Sequence, residues 1–148
     1  MVRDGRSADP VPFATPPGLE RTVRFFAHCT AEAAGAPPGA VTLAFANPQT
    51  FGVTFGDEEG HTLPLLLSGP RDEYHLATPA SAPSTTSLMS HLVSLNNAST
   101  PLVAGQDGSI DEKQLQPKRV PGGKTLLRLA PLTVGFVVLP KAEAPACL

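Results

Sequence analysis

The sequence predicts an all-β domain, an antiparallel β-sandwich of about seven to eight short strands, and three observations carry that prediction. Proline and glycine fill 30 of the 148 positions. Proline lacks a backbone donor and glycine adds unfolded-state entropy, so together they interrupt long helices. The apolar residues, 41% of the chain, fall in short runs that alternate with polar ones, the period of a strand with one buried face. Turn-forming clusters separate these runs. The length suits a single domain with a real core, since folding at this size buries roughly two-thirds of the unfolded surface.

Residues 1–20 hold four prolines and few apolar side chains, so they read as a disordered leader ahead of a domain spanning 21–148. Thr22–His28 (TVRFFAH) is β-branched and aromatic, a strand pattern. Ala31–Gly39 places Pro-Pro between glycines and reads as a loop. In Ala40–Asn47 the residues Val41, Leu43 and Phe45 alternate with Thr42, Ala44 and Ala46, a half-buried strand. Phe51, Val53 and Phe55 alternate again just beyond Pro48, so the two runs are expected to form a β-hairpin. Asp57–Gly60 is a turn, and Thr62–Leu67 a short strand that Pro64 confines to an edge or bulge.

Arg71–Thr78 puts Tyr74 and Leu76 on one face of a strand. Pro79–Ser87 is a loop. Ser87–Asn96 fits both helical and strand spacing; strand is preferred because Asn96-Asn97 looks like a turn into Leu102-Val103. Gly105–Gly123 is polar and reads as irregular. Lys124–Ala130 and Leu132–Leu139 close the domain, the latter as its most hydrophobic strand.

Charge and hydropathy exclude several roles. A net charge of −2 with 16% charged residues does not suit a nucleic-acid partner, which needs excess Lys and Arg to displace counterions. No apolar run approaches the ~20 residues that cross a bilayer, so no transmembrane segment is expected. The first residues carry no continuous apolar stretch of the secretory kind, so the chain as written is expected to stay in the cytosol.

Few residues suggest chemistry. Cys29 and Cys147 either pair, closing a loop worth on the order of 4–5 kcal/mol in the chain-entropy account, or stand as two free thiols; spacing does not choose. His28 and Cys29 are strand neighbours and point to opposite faces, so they form no nucleophile–base pair. Asp57, Glu58, Glu59 and His61 lack the alternating ligands of a calcium loop and read as a solvated turn. Gly122-Gly123-Lys124-Thr125 echoes a phosphate loop, but its leading glycine would fall at Lys118 and a strand follows. Asp72 and Glu73 alternate across a strand and read as surface charge, not as a glycosidase carboxylate pair. Lys113, Lys118, Arg119, Lys124 and Arg128 read as a solvated basic stretch able to meet an anionic polysaccharide. Asn97-Ala98-Ser99 is a formal glycosylation sequon at the expected turn. No cofactor and no metal are expected.

Three stretches in order resemble the C-terminal region of heparanase-like proteins, the endo-β-glucuronidases of glycoside hydrolase family 79, most of all the plant branch. They are Arg24–Thr30 (RFFAHCT), Arg71–Leu76 (RDEYHL) followed by Leu88–Asn97, and Ala130–Cys147 (APLTVGFVVLPKAEAPAC). The likeness runs from about residue 21 to 148, and the closing stretch is its most distinctive part. It implies a β-sandwich that packs beside a catalytic (β/α)₈ barrel, with Cys29 and Cys147 as the structural disulfide.

No stretch resembles the barrel, which needs roughly 200 residues or more and holds the family's catalytic glutamates, so no catalytic residue is carried over. The resemblance therefore implies an accessory domain, inactive alone, whose partner is a barrel in cis or in trans. It also implies a sandwich short of one strand, with an open sheet edge. A stand-alone module for acidic cell-wall or matrix glycans is the alternative, weakened by a single Tyr and no Trp. A disulfide and a sequon would place the parent enzyme in the secretory pathway or outside the cell.

Overall fold

In the computed structural model of the chain, the residues described are 11–12, 23–31, 35–55, 67–79, 92–123 and 126–148. Among them are the strands β1 (Val11–Pro12), β2 (Arg24–Cys29), β3 (Val41–Asn47), β4 (Val53–Phe55), β5 (Arg71–Ala77), β6 (Ser94–Leu95), β7 (Lys118–Val120), β8 (Leu127–Leu129) and β9 (Thr133–Leu139). The expected all-β class holds: every pairing is antiparallel, and the strands form two sheets.

The alternation read in β3 is the organising pattern. Val41, Leu43, Phe45 and Asn47 are buried while Thr42, Ala44 and Ala46 are half-buried, because successive side chains leave a strand on opposite faces. β3 lies between β2 and β9, and the large sheet runs β1-β2-β3-β9-β5. On the far side of β5 two short strands share one edge. β7 pairs with Arg71–Glu73 and β6 with Leu76 and Ala77.

The second sheet is the pair β4–β8, which covers the inner face of the large sheet with Val53, Phe55, Leu127 and Leu129. Phe25 meets Phe55 edge-to-face across the gap, with ring centroids 5.0 Å apart. These side chains join Val23, Leu43, Phe45, Leu67, Val137 and Leu139 in one continuous core. Asn47 ties the sheets together. Its buried amide donates to the carbonyls of Phe51 (3.2 Å) and Ala130 (2.8 Å), and its Oδ1 accepts from the Gln49 amide.

The disulfide between Cys29 and Cys147 is formed, joining residues 118 positions apart. It fastens the short terminal turn Pro145–Cys147 to the end of β2. The same corner is closed by the Gly39 amide donating to the Cys147 carbonyl (2.9 Å) and the Ala144 amide to that of Gly39 (3.0 Å).

Several expectations are corrected. β4 does not form a hairpin with β3; both edges of β3 are taken by β2 and β9, and β4 crosses to the second sheet. Phe51, read as part of that strand, is 54% exposed. The polar stretch 105–123 contains β7 and a turn of 3₁₀ helix at Glu112–Gln114, capped by the Asp111 carboxylate. Within the leader, Val11–Pro12 pair with Ala27 and Phe26 as the edge strand beside β2. The acidic turn Asp57–His61, the run Thr62–Leu66, the loop 80–87 and residues Leu88–His91 lie outside the described residues. Among the described residues no helix is long and apolar enough to cross a membrane.

Candidate functional site

Two surfaces of the large sheet stand out, one on each face. The inner face of β5 is charged where alternation would put apolar residues. Arg71 and Glu73 are only 2% and 1% exposed, which overturns the reading of Glu73 as surface charge. An ion so placed needs partners for every lone pair. Arg71 Nε donates to Glu73 Oε1 at 2.8 Å, and its two other nitrogens donate to the carbonyls of Leu67 (2.9 Å) and Leu126 (2.7 Å). Glu73 Oε2 accepts from Lys118 Nζ at 2.9 Å and from His75 Nε2 at 3.1 Å. The His75 nitrogen is the donor there, since an ionised carboxylate only accepts. Burial pushes the Glu73 carboxyl up, but the bonds from His75, Lys118 and Arg71 outweigh it and hold its pKa at about 2, against an ordinary 4.5.

Glu73 and Lys118 are direct cross-strand partners on β5 and β7. The gap that separates β7 from β6 along β5 is filled by one side chain. Asn96 Oδ1 accepts from the His75 amide (2.9 Å), while its Nδ2 donates to the carbonyls of Glu73 and Gln116 (3.1 Å each). The Asn96 amide also donates to the His75 carbonyl at 2.7 Å. Asn96 thus stands in for a missing strand residue. It can do so because Asn96 and Asn97 both adopt positive φ, 52° and 60°, and the Ala98 amide donates back to the Leu95 carbonyl. These are the marks of the mirror-image tight turn, in which asparagine is favoured. The expected Asn-Asn turn is therefore present.

Beside this network the two sheets part, leaving a cleft of about 480 Å³. Lys118, His75 and Asn97 line it from the β5 side, and Thr54 and Arg128 from β4 and β8. Among the described residues no carboxylate lines it. Asn97, the sequon residue, is exposed at this cleft. Of the basic stretch Lys113–Arg128, the fold brings Lys118 and Arg128 together here. Arg119 alternates to the opposite face of β7, and Lys113 sits in the 3₁₀ turn.

The outer face of the large sheet carries an apolar patch bordered by Arg24, His28, Thr42 and Asp72. Register aligns Phe26, Ala44, Phe136 and Tyr74 in one row across β2, β3, β9 and β5. The next row aligns Arg24, Ala46, Val134 and Leu76. Phe26 is 40% exposed, Val134 41% and Phe136 45%. Burial and the neighbouring Asp72 push the Tyr74 hydroxyl above its ordinary pKa. Tyr74 and Leu76 do share a face, as expected, and it is this outer one.

His28 and Cys29 face opposite ways and Cys29 is spent in the disulfide, so no nucleophile pair exists. Among the described residues no group of three or more His, Cys, Asp and Glu is placed to hold a metal ion. The missed features, Arg71 with Glu73 and the Asn96 plug, left one trace in the sequence: the polar side chains of Arg71, Glu73 and His75 fall on one parity of a strand.

No protein-family model matches the chain, and no curated protein matches it.

Proposed function

We propose that the chain is the accessory, non-catalytic β-sandwich of a heparanase-like β-glucuronidase of glycoside hydrolase family 79, and that it acts by docking on a (β/α)₈ barrel. The observation that supports this reading is the outer face of the large sheet, where Phe26, Val134 and Phe136 stay 40–45% exposed in adjoining rows. Single exposed apolar residues are ordinary, but a contiguous apolar face on a sheet marks an interaction surface. Its occupant must itself be apolar and broad, which the helical shell of a barrel provides. The resemblance of Arg24–Thr30, Arg71–Leu76 and Ala130–Cys147 to that family supplies the identity of the partner.

The role is mechanical: the domain covers an apolar side of the barrel and is covered in return. A stand-alone glycan module fits less well, because Tyr74, the chain's one tyrosine, lies in the outer apolar row and offers no sugar-stacking platform beside the cleft. In the docking reading the site of action is that of the parent enzyme, a secretory or extracellular setting that suits the disulfide.

The test is co-expression of the chain with a family 79 barrel, followed by size-exclusion chromatography and an aryl β-glucuronide assay. The chain should co-elute with the barrel and show no turnover alone. The double variant Phe26→Asp/Phe136→Asp should stay folded and lose co-elution. Turnover by the chain alone, or undiminished co-elution of the double variant, overturns the reading.

A further inference from the structure

We infer that the cleft between the β4–β8 pair and β5 is a binding site for a small hydroxylated molecule bearing an oxyanion, of which a sugar acid is the type. This inference concerns the inner side of the sandwich and does not depend on the docking of the outer face.

Charge carries the first step. Lys118 and Arg128 line the cleft, and among the described residues no Asp or Glu does. Glu73, which holds Lys118 and His75, is withdrawn from ligand chemistry: three side chains already donate to it and it is 1% exposed. Lys118 gives one of its three protons to Glu73 and keeps a 60% exposed side chain, so two donors remain for a ligand. Arg128 has no ion-pair partner among the described residues. Two cations drawn from different sheets therefore line one cleft, and among the described residues the carboxylate that faces them is Glu73, already held by Lys118. A planar guanidinium fork opposite an ammonium suits a carboxylate or phosphate group.

Shape and lining carry the second. At about 480 Å³ the cleft falls within the roughly 300–1,000 Å³ of small-molecule sites. Besides its cations it presents the Thr54 hydroxyl, the Asn97 amide and the Thr133 side, groups that meet hydroxyls rather than apolar surface. The floor is stiff. Asn96 locks β5 to the turn, and Phe45 packs under the His75 ring at 5.2 Å in the space left by Gly135. With no Phe, Tyr or Trp among the described lining residues, recognition runs through charge and hydrogen bonds, so it weakens as salt screens the exposed cations.

The experiment is a heteronuclear NMR titration of the purified, disulfide-intact chain with glucuronate, glucose 6-phosphate and glucose. Glucuronate, glucose 6-phosphate or both should shift the Thr54, Asn97 and Arg128 amides saturably, while glucose shifts none. The two acids together separate carboxylate from phosphate selectivity. Arg128→Ala, on an exposed strand position, should weaken the acid at least about tenfold, the loss of one charge-assisted hydrogen bond. Arg119→Ala removes the same charge from β7, on the face opposite to Lys118, and should leave the titration unchanged. Equal shifts by glucose, no saturable shift by either acid, or equal effects of the two arginine variants overturns the inference.

Discussion

Acidification should strip a defined part of the domain's stability through one side chain, Glu73. Its folded pKa of about 2 lies below the ordinary 4.5. A depressed pKa means that the folded state holds the proton less tightly than the unfolded chain does. The stabilisation is thus fully present above pH 4.5 and is lost as pH falls through the folded value near 2. A gap of 2.5 pH units converts to about 3 kcal/mol. Midway, near pH ~3.2, about half of it survives. That figure is an upper value: Glu73 is 1% exposed, but Lys118, one of its three donors, is 60% exposed and solvent screens its share. Urea unfolding with the disulfide intact, repeated between pH 7 and pH 2.5, measures it. Glu73→Gln removes the titrating group and leaves Arg71 buried without its counter-ion, so this variant should be less stable at pH 7 by about 3–5 kcal/mol. Its unfolding free energy should then fall less steeply below pH 4.5. If wild type and Glu73→Gln lose stability in parallel over that range, Glu73 is not the ionised hub of the network.

Other substitutions probe single contacts. Asn96→Ala strips the partners of the His75 amide and the Glu73 carbonyl and should cost about 2–4 kcal/mol in chemical unfolding, since each orphaned group costs about 1–3. At the next residue, Asn97→Val forces a β-branched side chain into φ 60° and should cost about 1–2 kcal/mol, whereas Asn97→Gly should leave the melting temperature unchanged or raise it. A Cβ at Gly135 would meet the Tyr74 carbonyl and approach the Phe45 ring at 2.7 Å, so Gly135→Ala should destabilise by about 3 kcal/mol and separate β9 from β5; amide exchange along β5 reads this out. Replacing Cys29 and Cys147 by serine opens a loop of 118 residues and should lower stability by about 4–5 kcal/mol in the chain-entropy account, measured by urea unfolding against the oxidised protein.

The parts of the fold legible in the sequence are those where one physical rule acts alone. β3 and β9 could be read because alternation of apolar residues reports a buried face and nothing in them conflicts with it. The turn at Asn96-Asn97 could be read because few residues tolerate positive φ. The partner of β4 could not: Val53 and Phe55 announce a half-buried strand, but a strand's period is silent on which sheet it joins, and proximity in sequence to β3 misleads. β7 was hidden because Lys118, Arg119 and Val120 are an edge segment with no apolar parity to detect. The candidate site was least legible of all. Lys118 and Arg128 are ten positions apart in the sequence and line one cleft only because β7 edges one sheet and β8 belongs to the other.

The same logic explains why the two faces of β5 read inverted. On most half-exposed sheets the charged parity faces water and the apolar parity faces the core. In β5 Arg71 and Glu73 point inward, while Tyr74 and Leu76 point outward beside Asp72. Burying the pair is tolerable only because Leu67, Leu126, His75 and Lys118 complete its hydrogen bonds; a lone carboxylate there would cost several kcal/mol. Apolar side chains in place of Arg71 and Glu73 would pack this interior with less demand on geometry. What the ionic pair adds is position. Arg71 spans from β5 to the carbonyl just before β8, and Glu73 holds the ammonium of Lys118. The network therefore fixes the distance between the sheets where the cleft opens and aims one of its two cations. Glu73→Leu with Arg71→Met should accordingly leave the domain folded and about as stable while releasing Lys118. If the acid titration of the cleft survives that double change with undiminished affinity, the buried pair serves the fold alone.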